Sequence, residues 1–186
     1  MTNKAGQALS AGGTNYTAVT TIYANDLAID ISPSRGDEEV SIGLICQADK
    51  TGDVVIAIRG TEGTREWMHD AEFLQVPCPL LPGAGHTDDG FTAMYESLRT
   101  GVASNSPTVV NALAKLSFPH PASSVTIWGH SLGGALATLL APWTWRRIRH
   151  LRTRPFIRMA VRARGIRCLQ APSTKWSRTR IGLQID

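Results

Sequence analysis

Apolar residues gather in short runs along this chain, and the spacing within each run predicts an element. Val40–Ala48 (VSIGLICQA) and Val54–Arg59 (VVIAIR) are rich in β-branched residues and are separated by Asp49-Lys50-Thr51-Gly52-Asp53. Such runs predict strands, and the turn-rich connection predicts a hairpin. The second run is apolar at nearly every position, the pattern of a strand covered on both faces. Thr92–Leu116 has helical character with a break near Asn105-Ser106-Pro107. Ser124–Trp128 (SVTIW) predicts a third strand, and Leu132–Leu140 a helix directly after it. Gly63–Phe73 is ambiguous, compatible with a short helix that turns Trp67 inward. Pro77–His86 (PCPLLPGAGH) carries three prolines and two glycines in ten residues, which excludes regular structure. The start, up to about Asn15, is rich in Gly, Ser and Ala and is expected to be loose. Strand and helix in alternation predict an α/β fold with a largely parallel sheet, which the hairpin makes mixed.

Length and composition narrow the class. The 186 residues suit one domain of ordinary size, and the longest mostly apolar run, Ala135–Ala141, is far too short to span a bilayer. The first fifteen residues hold one lysine and no apolar core, so no signal peptide is expected there and a cytoplasmic location is favoured. Cys46, Cys78 and Cys168 fit neither a disulfide framework nor a zinc spacing, so no metal site is expected. The net charge of +4 conceals two unlike pieces. Residues 1–140 hold seven basic and fourteen acidic side chains, a balance of −7. Residues 141–186 hold eleven arginines, one lysine and the single acid Asp186, a balance of +11. The high isoelectric point therefore belongs to the C-terminal segment alone.

Chemistry is concentrated between the third strand and its helix, at Gly129-His130-Ser131-Leu132-Gly133. This is the G-x-S-x-G pattern of a nucleophile elbow. A serine that attacks a carbonyl must stand clear of the sheet on a tight turn, and side chains two positions before and after it would collide across that turn. Glycine at 129 and 133 removes them. The first N–H groups of the following helix lack intrahelical partners, so the Leu132 N–H is free to donate to an oxyanion formed on attack. A bare G-x-S-x-G is common. Here it follows a β-branched run and opens a helix with a small near face, Gly133, Gly134, Ala135 and Ala137. Strand Val54–Arg59 runs into Gly60-Thr61, which can bring a backbone N–H and a hydroxyl beside the elbow, making Thr61 a candidate second oxyanion donor.

IRGTEGTREWMHDAEF, GFTAMYESL and VTIWGHSLGGALATLLA together resemble the fungal-type, or class 3, lipases of the α/β-hydrolase superfamily, over roughly residues 40–141. The resemblance implies an α/β-hydrolase fold and hydrolysis of carboxylic esters, typically acylglycerols met at a lipid–water interface, without a cofactor. It also implies that Ser131 is the nucleophile and that Thr61 and Leu132 form the oxyanion hole. The family usually has a histidine two places before its Gly-Phe pair. Here His86 stands four places before Gly90, so His86 receives no role, and His69 and His120 are read as surface or structural residues.

A serine nucleophile needs a histidine to take its proton and a carboxylate to orient that histidine, in the chain order serine, acid, histidine on this fold. After Ser131 the sequence offers only His150 and Asp186, in the reverse order. His130 adjoins the serine, but its side chain is expected to point away across the elbow. The triad acid and base are thus expected to be missing from these 186 residues, and little or no esterase turnover is expected of them.

The basic segment admits three readings. Arginines interleaved with Trp143, Trp145, Phe156 and Trp176 suit a non-catalytic arm for nucleic acid or an anionic membrane. A functionless disordered extension is the second. The third is a displaced reading frame, in which each codon takes the last base of one written codon and the first two of the next. Trp143-Thr144 then forces GAC, aspartate, and Met159-Ala160 forces GGC, glycine. With the free bases chosen, Pro142–Arg149 permits LDVAANT. Arg154–Ile166 permits AVYTYGSPRTGD, which resembles the next strand and loop of the lipases. A displaced frame also explains the arginines, since shifted GC-rich DNA is full of CGN codons. It is the preferred reading, and nucleic acid the less favoured partner. The expected layout is a loose 1–15, the N-terminal part of a lipase-like domain over 16–141, and an irregular, out-of-frame tail over 142–186 that leaves the third strand without a parallel neighbour.

Overall fold

The computed structural model describes residues 4–25, 39–60, 75–77, 86–103, 105–121, 124–148, 156–162 and 183–184. Strands β1 (Ala8–Ala11), β2 (Thr14–Asn25), β3 (Glu39–Ala48), β4 (Val54–Ile58), β7 (Ser124–His130), β8 (Phe156–Arg162) and β9 (Leu183–Gln184) form one sheet, in the order β1-β2-β3-β4-β7-β8-β9. β5 (Gln75–Pro77) and β6 (His86–Asp88) pair separately, and the helices are α1 (Asp89–Ser97), α2 (Val109–Leu113) and α3 (Leu132–Ile148). The first four strands of the large sheet are antiparallel neighbours, whereas β4/β7, β7/β8 and β8/β9 are parallel. The class is α/β and the sheet is mixed, as predicted, but three of its six pairings are antiparallel, so it is not the largely parallel sheet that the alternation predicts.

The expected hairpin is β3–β4, with Gly43 opposite Ile58 and Gln47 opposite Val54. Burial along β4 alternates: Val54, Ile56 and Ile58 are buried, and Val55 and Ala57 are half-exposed. The expectation that this strand is covered on both faces is therefore corrected. Its buried face joins Ile42 and Ile45 of β3 with Val125 and Ile127 of β7 against Phe91, Met94, Val109, Leu113, Leu136 and Leu140 of the helices, forming the core. Removing this apolar surface from water is the main source of stability, about 25 cal/mol per Å² buried.

Four further expectations are revised. Part of the supposedly loose start is a hairpin: Gly12 and Gly13 take φ of +56° and +76°, which glycine adopts without strain, and β1 pairs antiparallel with β2 across them. The helical run Thr92–Leu116 does break around Asn105–Pro107 as expected, but over a longer stretch: the first helix ends at Ser97 and the second starts at Val109, with Arg99 between them bridging both Tyr23 and Thr108. Helix α3 continues eight residues past Leu140, through Pro142. And β8 supplies the parallel neighbour that β7 was expected to lack, from Ser124↔Phe156 to His130↔Arg162. Its written residues (FIRMAVR) are apolar and β-branched enough to pair there. The ambiguous Gly63–Phe73 lies outside the described residues; of Pro77–His86, expected to lack regular structure, only Pro77 and His86 are described, and they pair with each other at the ends of β5 and β6.

One buried polar side chain ties the end of the hairpin to the entry of β7. Gln47 is 1% exposed. Its Nε2 donates to the carbonyls of Gly52 (2.9 Å) and His120 (2.7 Å), and its Oε1 accepts from the His120 N–H (2.9 Å). Close by, the Ser124 hydroxyl donates to Asp53, which also accepts from Thr51. These bonds fix where β7 begins relative to β4, and hence where it ends. Gln47→Ala leaves one buried and two partly buried backbone groups without this partner and is expected to lower stability by about 1–3 kcal/mol, read as a drop in the urea midpoint.

Candidate active site

β7 and α3 meet at Ser131, and the meeting is strained. Ser131 has φ +53°, the one non-glycine residue with positive φ among those described. An L-residue in this left-handed region brings Cβ against its own carbonyl at a cost of about 1–2 kcal/mol, so the surroundings must impose it. They do so by close approach. A Cβ on Gly129 would lie 2.0 Å from the carbonyl oxygen of Gly133, so the two arms of the turn are in contact across it. A Cβ on Gly133 would lie 2.3 Å from the carbonyl oxygen of Ile58 and 2.7 Å from that of Arg59. The helix start is therefore seated on the C-terminal end of β4. Gly129, Ser131, Leu132 and Gly133 are brought together as the motif requires.

The Ser131 carbonyl accepts from the N–H of Gly134 at 2.8 Å, which closes the first turn of α3. Leu132, 3% exposed, opens that helix, and its N–H is one of the amides with no intrahelical acceptor. Ser131 itself is half-exposed, so its hydroxyl is within reach of a substrate. On the opposite side, a Cβ on Gly60 would lie 3.4 Å from the Ser131 Cβ, 3.0 Å from the His130 carbonyl oxygen and 3.3 Å from His130 Nδ1. The loop leaving β4 thus runs beside the elbow. Thr61, the candidate second oxyanion donor, follows at once and lies outside the described residues.

Of the remaining candidates, His130 adjoins Ser131, and the others sit on other segments or fall outside the described residues. His86 is exposed on β6, and His120 is exposed with its backbone held by Gln47. His130 is exposed beside Gly60. His69, His150 and Asp186 lie outside the described residues. The Cys46 thiol is buried in β3, and burial pushes its pKa up, so it is a poor alternative nucleophile. Among the described residues no group of three His, Cys, Asp or Glu side chains could hold a metal ion. Nor is any described helix long and apolar enough to cross a membrane.

A sheet that ends one parallel strand in a strained serine, with a helix starting beneath it, is the architecture of the α/β-hydrolase fold. The sequence profile of the class 3 lipases matches residues 55–161, and the chain belongs to that family. The match starts later than the resemblance read from the motifs and extends further, through α3 and most of β8. Phospholipase A1-II 1 of Oryza sativa subsp. indica is 37% identical over 100 residues, covering 48% of this chain and 25% of that protein. Secreted mono- and diacylglycerol lipase 1 of Fusarium solani is 37% identical over 92 residues, covering 49% and 25%. The chain matches about a quarter of the length of these curated relatives.

Solved lipases share the fold. A propeptide complex of Rhizomucor miehei lipase, a deletion mutant, superposes with a TM-score of 0.53 at 22% identity, over 79% of this chain and 41% of that one. The lipase of Rhizopus microsporus var. chinensis gives 0.53 at 22%, over 79% and 45%.

Backbone strain at the elbow can be measured. Replacing Ser131 by glycine relieves the left-handed conformation, whereas alanine keeps it. Ser131→Gly is expected to be more stable than Ser131→Ala by about 1 kcal/mol in urea unfolding. Gly133→Ala, which drives a methyl group into the backbone of β4, is expected to lower Tm on the order of 10 °C or to prevent folding.

Proposed function

We propose that this protein is a serine hydrolase of lipid-type carboxylic esters, acylglycerols in the first place, working through an acyl-enzyme on Ser131. The observation that carries the reading is the positive φ of Ser131 between β7 and α3, a costly conformation for a non-glycine residue of the kind that clusters at functional sites. The similar proteins, a mono- and diacylglycerol lipase and a phospholipase A1, support lipid esters as the substrate class.

In this mechanism Ser131 Oγ bonds to the carbonyl carbon while its proton passes to a base. The carbonyl oxygen becomes an oxyanion, held by the N–H of Leu132 and by Thr61, the residue that follows Gly60 in the chain. Collapse breaks the bond to the alcohol, which leaves with the proton. Water then attacks the acyl-enzyme by the same route and releases the acid. No cofactor is required by these steps. Each oxyanion donor is worth about 3–4 kcal/mol of barrier, because it is already oriented when the charge develops.

The steps require a base. Only His150 and Asp186 follow Ser131 as a histidine and an acid, and their order is reversed relative to the fold's usual one. The 186 residues assayed by themselves are therefore expected to turn over p-nitrophenyl esters on the order of 10⁴-fold or more below an assembled triad. The elbow is still testable without that base. The serine hydroxyl then reacts only through its small alkoxide fraction, so labelling of Ser131 by a fluorophosphonate is expected to accelerate about tenfold per pH unit from 7 to 9. Ser131→Ala is expected to abolish the label. Labelling that persists in Ser131→Ala, or that never reaches this residue, contradicts the reading.

A further inference from the structure

Helix α3 carries two misfits, and both fall just after the point where the charge of the chain changes. Pro142 lies inside the helix, as its eleventh residue. There it withholds an N–H, and its ring crowds the carbonyl four residues back. Two residues later Thr144 is fully buried at 0% exposure, and its hydroxyl has no hydrogen-bond partner among the described residues. Up to Ala141 the same helix is well made: Ala135, Leu136, Ala137, Leu139, Leu140 and Ala141 are all buried in or against the core. A consistent helix that turns inconsistent within two residues is a local conflict of a kind that folded sequences avoid.

Codon structure resolves both misfits at once. In the displaced frame, the codon at 142 takes the last base of the written Pro142 codon and the first two of Trp143. The codon at 144 takes the last base of Thr144 and the first two of Trp145. Tryptophan is TGG only, so both codons end in TG, and every codon of that form encodes Leu, Met or Val. Between them, position 143 is GAC, aspartate, with no freedom. The fully buried position 144 therefore receives an apolar side chain and the proline is removed, whatever the free bases are.

Burial also selects the alignment. Moving the displaced residues one position along would put the aspartate at 144, an unpaired charge in the core. In the same frame positions 146, 147 and 149 cannot encode arginine, so three of the eleven arginines after residue 141 belong to the written frame alone.

We infer that the frame encoding this fold differs from the written one from residue 142 onward, and that it places Leu, Met or Val at 142 and 144 with Asp at 143. The inference rests on the packing of α3 and not on the hydrolase reading; each fails separately.

Two measurements test it. Tryptic mass spectrometry of the natural protein, with sequencing of its coding DNA across codons 139–146, is expected to show Leu116–Ala141 continuing into the displaced residues, with the DNA in the matching frame. Detection of the peptide Leu116–Arg146 ending in Pro142-Trp143-Thr144-Trp145-Arg146 overturns the inference, as does DNA that matches the written frame. In the 186-residue chain as written, the double variant Pro142→Leu, Thr144→Val is expected to raise Tm on the order of 10 °C. An unchanged or lowered Tm means that the two positions are not misfits, and removes the structural basis of the inference.

Discussion

The contact on which the rest depends is backbone against backbone, where the start of α3 meets the end of β4. Gly133 has no Cβ because the carbonyl oxygens of Ile58 and Arg59 occupy that space, and Gly129 has none because Gly133 does. Pressed from two sides, the residue between them turns into the left-handed region and raises its side chain from the sheet. The strained serine, the amide of Leu132 and the passing loop at Gly60 all follow from that approach. Replace either glycine and the strand, the helix and the nucleophile cannot keep their places together.

The approach is set from the far end of the sheet as well. Gln47 binds the β3–β4 turn and the segment entering β7 through one buried amide. The parallel register that results runs from Val54↔Val125 to Ile58↔Gly129, so β4 stops level with the elbow. Core packing against α1, α2 and α3 then holds the helix face down. The geometry of the site is thus a consequence of where two strands end, which is why a few glycines at strand ends carry so much of its chemistry.

Much of this was legible in the sequence, for local reasons. β3, β4 and β7 announce themselves as β-branched runs, and the elbow is a pattern in which each glycine has a steric reason. Features decided by distant contacts were less legible. Arg99 abandons helical geometry because Tyr23 and Thr108 offer it bridges, which no window around Arg99 reveals. The β1–β2 hairpin did have a signal, Gly12-Gly13 between short apolar stretches, but a Gly/Ser/Ala composition outweighed it. Strand β8 was hidden by its arginines: FIRMAVR reads as part of a basic tail until β7 gives it a partner. Within the site, Gly60 could be placed beside Ser131 from sequence order alone, whereas the proton acceptor could not be placed at all.

The most direct test is the structure of the phosphonylated protein. A crystal grown after labelling at high pH is predicted to show phosphorus bonded to Ser131 Oγ, with the phosphonyl oxygen accepting a hydrogen bond from the Leu132 N–H and Ser131 still at positive φ. A phosphonyl oxygen turned to solvent, or a Ser131 relaxed to negative φ with the helix start lifted off β4, would contradict the account.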